Sequence, residues 1–430
     1  APPEIQFILN DSAPRVLLLE AQYASVIDAL RPLLPTIDHY VCIGADTPAW
    51  AHSYEGLLQS GDASGPPIRA RSGDTANLVY TSGTTGRPKG VIHSHLCELA
   101  QAQEMAMVLD LQPDGRILEV MPYFHVGAQA SGSGALWRGG AIYIHRQFDP
   151  VAILQTVAQE RITTLHLVPQ MVQSLLEVPD VSRYDLSSLT TIMYAAAPMP
   201  VPLLRRALKV FGRIFVNCWG QTEGTGTFLP KHMHLPDGTP EQVKLLSSIG
   251  QMRQGGTLRI VDEAGKDCAP GQPGELILRA QSMMSGYWNN SAATAETLRD
   301  GWLHTGDMGY FNAQGYVFLV DRKKDIIISG GENIYSQEVE QALAEHPDVA
   351  NVAVIGVPDS KWGESVKAFV VLNPNATVNA DALIAHCTTL IASYKRPRHI
   401  EFVTELPILP SGKINKVALR NLYERPERCA

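Results

Sequence analysis

The stretch Tyr80-Thr-Ser-Gly-Thr-Thr-Gly-Arg-Pro-Lys-Gly90 gathers the residue types that hold a polyphosphate. Gly83 and Gly86 accept backbone angles that side chains forbid, so the loop can turn successive N–H groups into one anion-binding concavity. Thr81, Ser82, Thr84 and Thr85 add hydroxyl donors. Lys89 adds a mobile point charge suited to phosphate oxygens. Gly, Ser, Thr and Pro are also ordinary turn residues, so a solvated surface loop is the competing reading. The Gly-x4-Gly-Lys-Ser/Thr phosphate loop does not fit, because the lysine follows Arg87-Pro88 and Gly90 stands where the hydroxyl should be.

Five further stretches carry candidate chemistry. Pro122-Tyr-Phe-His-Val126 follows a predicted strand, so His125 is expected to project from a strand end into a cleft; a satisfied structural histidine is the commoner case. Tyr194-Ala-Ala-Ala-Pro198 puts small residues after another strand, where a flat ring could lie against backbone or where alanines merely pack. In Asn217-Cys-Trp-Gly-Gln-Thr-Glu-Gly224, Trp219 offers a stacking face and Gly220 close approach. Glu223 there is a hard oxygen ligand suited to Mg²⁺ that also binds phosphate oxygens. Asp307, in Asp300-Gly-Trp-Leu-His-Thr-Gly-Asp307, is an acceptor-only carboxylate. The Gly330-Gly331 pair permits approach of a narrow ligand.

The order and wording of these motifs resemble the adenylate-forming superfamily, which contains acyl-CoA synthetases, the adenylation domains of nonribosomal peptide synthetases and firefly luciferase. The resemblance runs from Pro3 to about Leu422. It implies a nucleotide site made of Thr81 to Gly86, Lys89, Ala196, Ala197, Pro198, Trp219, Gly220, Gln221, Thr222, Asp307 and Arg322, with Asp307 on the ribose. It implies Mg²⁺ at Glu223 and Thr81, and His125 bordering the acyl site. Lys413, in Pro410-Ser-Gly-Lys413-Ile-Asn-Lys416, matches the catalytic lysine that contacts the substrate carboxylate and the α-phosphate. Lys324 matches the hinge about which a small domain swings. Ser329-Gly-Gly-Glu-Asn-Ile-Tyr335 resembles fatty-acyl and aryl-CoA ligases, which makes Gly330 and Gly331 a passage for coenzyme A. The family's aromatic before Gly220 is more often tyrosine; tryptophan here keeps the chemistry but can reshape the acyl pocket.

The implied activity is AMP-forming ligation of a carboxylic acid, expected to be fatty, to coenzyme A with MgATP. An adenylation domain loading a carrier protein is the alternative, and a non-catalytic ATP-binding scaffold is a rival of another class. Trp137, Met193 and Trp219 are candidate walls of the acyl pocket. The chain begins with a stretch that resembles an internal part of these enzymes, so an opening segment is expected to be missing.

A chain of 430 residues exceeds one ordinary core. Hydrophobic content of 45% with 18% charged residues is globular composition, and a net charge of −8 argues against a nucleic-acid surface. No apolar run is long enough to span a bilayer, which leaves peripheral membrane contact open. Six scattered cysteines without a Cys-x-x-Cys pair read as reduced, cytoplasmic thiols. Strands alternating with helices up to about Cys218 predict layered α/β sheets. They include strands at 117–121, 164–168, 190–194 and 214–218, and helices at 95–108, from Pro150 with Val151, Leu154 and Val157 inward, and at 202–211. From Thr257 the texture becomes β-rich, and beyond Asp325 it becomes a compact α+β unit whose first helix Ser336 is expected to cap. The expected organisation is a large ATP- and acyl-binding domain with a small β subdomain over residues 1–320, a hinge at 321–324, and a small mobile α+β domain over 325–430. Residues 44–74 read as a connecting loop.

Overall fold

The computed structural model describes residues 2–65, 67, 69–81, 88–253, 255–408 and 414–423. Ser82, Gly83, Thr84, Thr85, Gly86 and Lys413 lie outside the described residues. The chain falls into two compact units, one of Ala1–Glu98 with Met284–Glu296 and one of Leu99–Met283 with Thr297–Ala430.

In the first unit a parallel sheet of Val16–Glu20, His39–Ile43 and His52–Ser53 packs Leu19 and Tyr40 against Ile27 and Leu30 of helix Ala24–Leu30. The expected loop at 44–74 contains a short helix, Tyr54–Ser60, started by Ser53, whose side chain accepts a hydrogen bond from the Gly56 N–H. A second sheet pairs Thr75–Thr81 antiparallel with Lys89–Ser94, which pairs in turn with Gly286–Tyr287.

The second unit is built on a seven-stranded sheet. Ala141–Ile144, Arg116–Glu119, Thr164–Leu167, Thr191–Ala195 and Phe215–Gln221 lie parallel in that order, followed by antiparallel Gly224–Leu229 and Gln251–Met252. Alternate residues face opposite sides. Leu118, Leu165, Ile192 and Phe215 pack on helices Pro150–Glu160, Pro169–Leu176 and Val201–Phe211. Ile117, Met193 and Val216 face Met105 of helix His95–Val108 and Ala130 of helix Val126–Arg138.

Asp149 caps the helix from Pro150 as expected, accepting from the Ala152 N–H at 2.9 Å. Its inward residues are Ile153, Leu154 and Val157, while Val151 faces outward. The sequence pattern did not give helix Val126–Arg138, because three glycines and two serines offset its alanines and no hydrophobic stripe marks it.

Three antiparallel strands, Gly256–Val261, Gly274–Ala280 and Val317–Arg322, match the β-rich expectation, and Trp302–Phe311 lies between the last two. The final part has a sheet built around Val349–Asp359 and Gly363–Leu372 with helices Ser336–Ala344, Ala380–Leu390 and Lys416–Tyr423. Tyr335, not Ser336, is the N-cap residue of the first of these helices, and it makes no side-chain cap bond. The Ser336 hydroxyl donates to Asp321 instead. The protein is thus a layered α/β fold with a large N-terminal domain and a small α+β C-terminal domain.

Candidate active site

In the first unit, Thr81 and Lys89 are direct partners across an antiparallel strand pair, and the phosphate-loop stretch joins them. The Lys89 ammonium lies 4.9 Å from the centroid of the Tyr287 ring, a cation–π contact that restrains it. The hairpin base is pinned by Asp11, which accepts from the Tyr80 hydroxyl at 2.6 Å and, through its backbone carbonyl, from the Trp288 indole at 2.8 Å. Burial and the Asp11 carboxylate together raise the Tyr80 hydroxyl pKa, so it stays a neutral donor. Gly90 is closely packed: a Cβ there would stand 3.0 Å from the Tyr80 ring and 3.3 Å from Trp288 Cβ.

In the second unit the candidate nucleotide residues gather beyond the carboxyl ends of the parallel strands, where open α/β sheets bind ligands. Ala196 follows the strand Thr191–Ala195 and adopts φ +70, a left-handed conformation that costs an alanine about 1 kcal/mol or more. Ala196 and Ala197 are half-buried and Pro198 is exposed. The next strand turns back at Thr222-Glu223, a two-residue tip between the partners Gln221 and Gly224, and both tip residues are half-buried. A register shift between Trp219 and Gly220 bends this hairpin.

Asp307 is the centre of the arrangement. It is 5% exposed, and its Oδ2 accepts from Trp219 Nε1 at 3.0 Å and Gln221 Nε2 at 3.1 Å. Its Oδ1 pairs with Arg322 Nε at 3.0 Å, the two residues being opposite each other on neighbouring strands. Gln221 also donates to the Thr305 carbonyl at 2.8 Å. Four of the expected residues, spread over a hundred positions, are thereby brought into one hydrogen-bonded group. The Trp219 ring is not an open stacking platform: it lies over Gly226, where a Cβ would stand 2.2 Å from Cζ3. Its part is to orient Asp307.

His125 does not project from a strand end. It is the N-cap residue of helix Val126–Arg138, and its Nδ1 accepts the Gly127 N–H at 3.2 Å, which fixes the remaining proton on Nε2. Of the candidate acyl-wall residues, Met193 is sealed in the core and Trp137 is exposed on the surface. Sequence reasoning passed over Glu119 and His166, two buried polar residues in register on neighbouring strands. The available signal was that each interrupts an apolar strand.

Gly330 and Gly331, with φ +63 and +87, form a two-residue turn between Ile327–Ser329 and Glu332–Ile334. Positive φ at both positions is the type I′ requirement, so the turn itself accounts for the glycines. Lys324 lies in a single 3-10 turn, Lys323–Asp325, and burial lowers its ammonium pKa. Just before it, Asp321 accepts from the Ser336 N–H and from the Ser336 hydroxyl at 3.1 Å, while Lys416 Nζ donates to that hydroxyl at 2.6 Å. Burial pushes the Asp321 carboxyl up to about 6.

The family model for AMP-binding enzymes matches residues 1–288, and that for the AMP-binding enzyme C-terminal domain matches residues 338–413. A feruloyl-CoA synthase from Amycolatopsis is 37% identical over 98% of this chain and 82% of that enzyme. The long-chain-fatty-acid–CoA ligase FadD13 of Mycobacterium tuberculosis is 33% identical over 98% of this chain and 81% of its own length. The solved structure of the amide bond synthetase McbA from Marinactinospora thermotolerans superposes with a TM-score of 0.89 at 31% identity, covering 98% of this chain and 83% of that one. The architecture is therefore that of the adenylate-forming ligases. Within that class, the chain belongs to the AMP-binding enzyme family.

Proposed function

We propose that this chain is an AMP-forming carboxylate–CoA ligase. The single observation that carries the reading is the group around Asp307, where Trp219, Gln221 and Arg322 converge beyond the strand ends. CoA ligases among the relatives support coenzyme A as acceptor. One relative is named for ferulate and the other for long-chain fatty acids, so the expectation of a fatty acid is not carried over.

A carboxylate cannot expel oxide, so it must first be given a leaving group. Its oxygen attacks the α-phosphorus of ATP, the bond to the bridging oxygen breaks, and pyrophosphate departs. Protein residues assist by positioning and by neutralising charge. We assign Lys89 and the 81–86 loop to the departing pyrophosphate, and Asp307 with Arg322 to the ribose side. By the family resemblance, Lys413 bridges the carboxylate and the α-phosphate. Glu223 at its hairpin tip suits Mg²⁺, which takes few protein carboxylates and shares phosphate oxygens; the ion would neutralise charge on the leaving group. In the second step the coenzyme A sulfur attacks the acyl carbon, the bond to the AMP oxygen breaks, and the thiol proton is released. The free thiols of Cys42, Cys97, Cys218, Cys268 and Cys387 support a cytoplasmic setting.

The test is incubation with ATP, Mg²⁺ and a panel of carboxylic acids, with and without coenzyme A, followed by mass spectrometry of AMP and thioesters. Acyl-CoA formed only with coenzyme A, and lost with EDTA, is the expected result. Acyl adenylate without thioester would move the reading to a carrier-protein or amine acceptor, and no ATP turnover would overturn it.

A further inference from the structure

The strand Trp302–Phe311 does not run evenly along its neighbour Gly274–Ala280. His304 pairs with Ile277 and Met308 with Glu275, so Thr305, Gly306 and Asp307 stand opposite Leu276 alone. A bulge of this kind interrupts the ladder and re-aims a side chain, and bulges gather beside active sites. The side chain re-aimed here is Asp307. Backbone groups that the ladder leaves unpaired must find other partners. The Thr305 hydroxyl donates to the Leu276 carbonyl at 2.7 Å and accepts the Asp307 N–H at 3.1 Å. Gly306, at φ +69, gives its N–H to a side chain, donating to Glu275 Oε1 at 3.3 Å.

Glu275 is 9% exposed, a costly place for a carboxylate. A neutral amide or hydroxyl would suffice if one backbone N–H were all it served. Its charge is answered at the other oxygen, where Lys323 Nζ donates to Oε2 at 3.4 Å. His304 faces the same carboxylate, but its Nδ1 lies 3.6 Å from Oε1, beyond hydrogen-bond distance. Burial lowers the His304 pKa, so the ring is neutral at neutral pH and Lys323 supplies the compensating charge. Lys323 directly follows Arg322, which lies opposite Asp307 on the next strand and pairs with it. One carboxylate thus ties the bulge that carries Asp307 to the strand end that carries Arg322.

We infer that Glu275 is a positioning residue for the nucleotide: by holding Gly306 and Lys323 together, it sets the aim of Asp307 and Arg322 at the ribose hydroxyls. This rests on the ligase reading above, which assigns the ribose side to that pair. Without Glu275 the bulge loses the anchor at its tip, and Asp307 meets the hydroxyls out of line. A carboxylate that served only the sheet would not distinguish one sugar from another.

The test is calorimetric titration of the purified protein with MgATP and with Mg-2′-deoxyATP, which differ by one ribose hydroxyl. The wild type is expected to bind ATP tighter than the deoxynucleotide by about tenfold or more, as a hydrogen bond to a carboxylate warrants. In Glu275→Ala the loss falls mainly on ATP, and the preference drops to about twofold or less. Glu275→Gln keeps an oxygen for Gly306 but loses the charge facing Lys323, so the preference falls by about two- to threefold. That variant changes little volume and carries the comparison if the alanine variant does not fold. A purely structural carboxylate would weaken both nucleotides together and keep the preference, which overturns the inference. Equal wild-type affinities for the two nucleotides overturn it as well, and in both cases acyl-CoA formation in the assay above leaves the ligase reading standing. A wild type that binds neither nucleotide sinks the ligase reading and this inference with it.

Discussion

Asp307 has little spare capacity. A carboxylate offers about four lone-pair directions, and Trp219, Gln221 and Arg322 already occupy three. To accept both hydroxyls of a ribose it must release one partner. Arg322 is the one that can leave, because its side chain is 41% exposed whereas the Trp219 indole is buried. Asp307→Asn keeps the shape but loses the charge opposite Arg322. Hydrogen bonds to charged groups are worth about 1.5–3 kcal/mol, so KM for ATP is expected to rise roughly 10- to 100-fold with a smaller change in kcat. Initial rates with ATP varied check this, and an unchanged KM removes Asp307 from the nucleotide site. Residues such as Asp307 and Glu223 were legible because their surroundings in sequence already show glycines, hydroxyls and charge. Glu119 was not, because a glutamate in the middle of a short apolar run reads equally well as the outward-facing residue of a strand with one solvated face. Only the register with His166 and the cover by Ser131 reveal that it is buried.

At the scale of elements, helix Val126–Arg138 shows what composition conceals. Its glycines are there for contact: a Cβ at Gly134 would stand 2.9 Å from Met105 Cβ and 3.1 Å from the Ala106 nitrogen. The two helices approach so closely that neither needs a broad apolar stripe. This is why a periodicity reading failed here while it found Pro150–Glu160 and Val201–Phe211, whose leucines and valines repeat at helical spacing. Gly134→Ala sets two effects against each other. Helix propensity gains about 1 kcal/mol, whereas overpacking costs about 1–3 kcal/mol. The obstructing atoms are Met105 Cβ and backbone, which cannot swing aside, so the clash is expected to win and thermal melting should show a Tm lowered by a few degrees. An equal or higher Tm would mean that the helices separate at little cost.

For the whole molecule, the layering and the two-domain order were readable because strand and helix runs differ in period along the chain. What local pattern could not supply is the contact between Asp321 and Ser336, fifteen residues apart and buried. It spans the proposed hinge at Lys324, with Lys416 of the last helix drawn into the same group. Lys413 and the Gly330-Gly331 turn both follow that hinge in sequence. The second half-reaction needs the acyl carbon uncovered for a thiol, so we propose that the small domain turns about Lys324 between the two steps, breaking the Asp321–Ser336 contact as it does. Lys324→Pro tests this. Proline fixes φ near −65°, which a 3-10 turn tolerates, but it denies the backbone a second conformation. Adenylate formation, followed by pyrophosphate exchange, should remain near wild type. Thioester formation from supplied acyl adenylate should fall about tenfold or more. Equal losses in both half-reactions would place the turning point elsewhere in the chain.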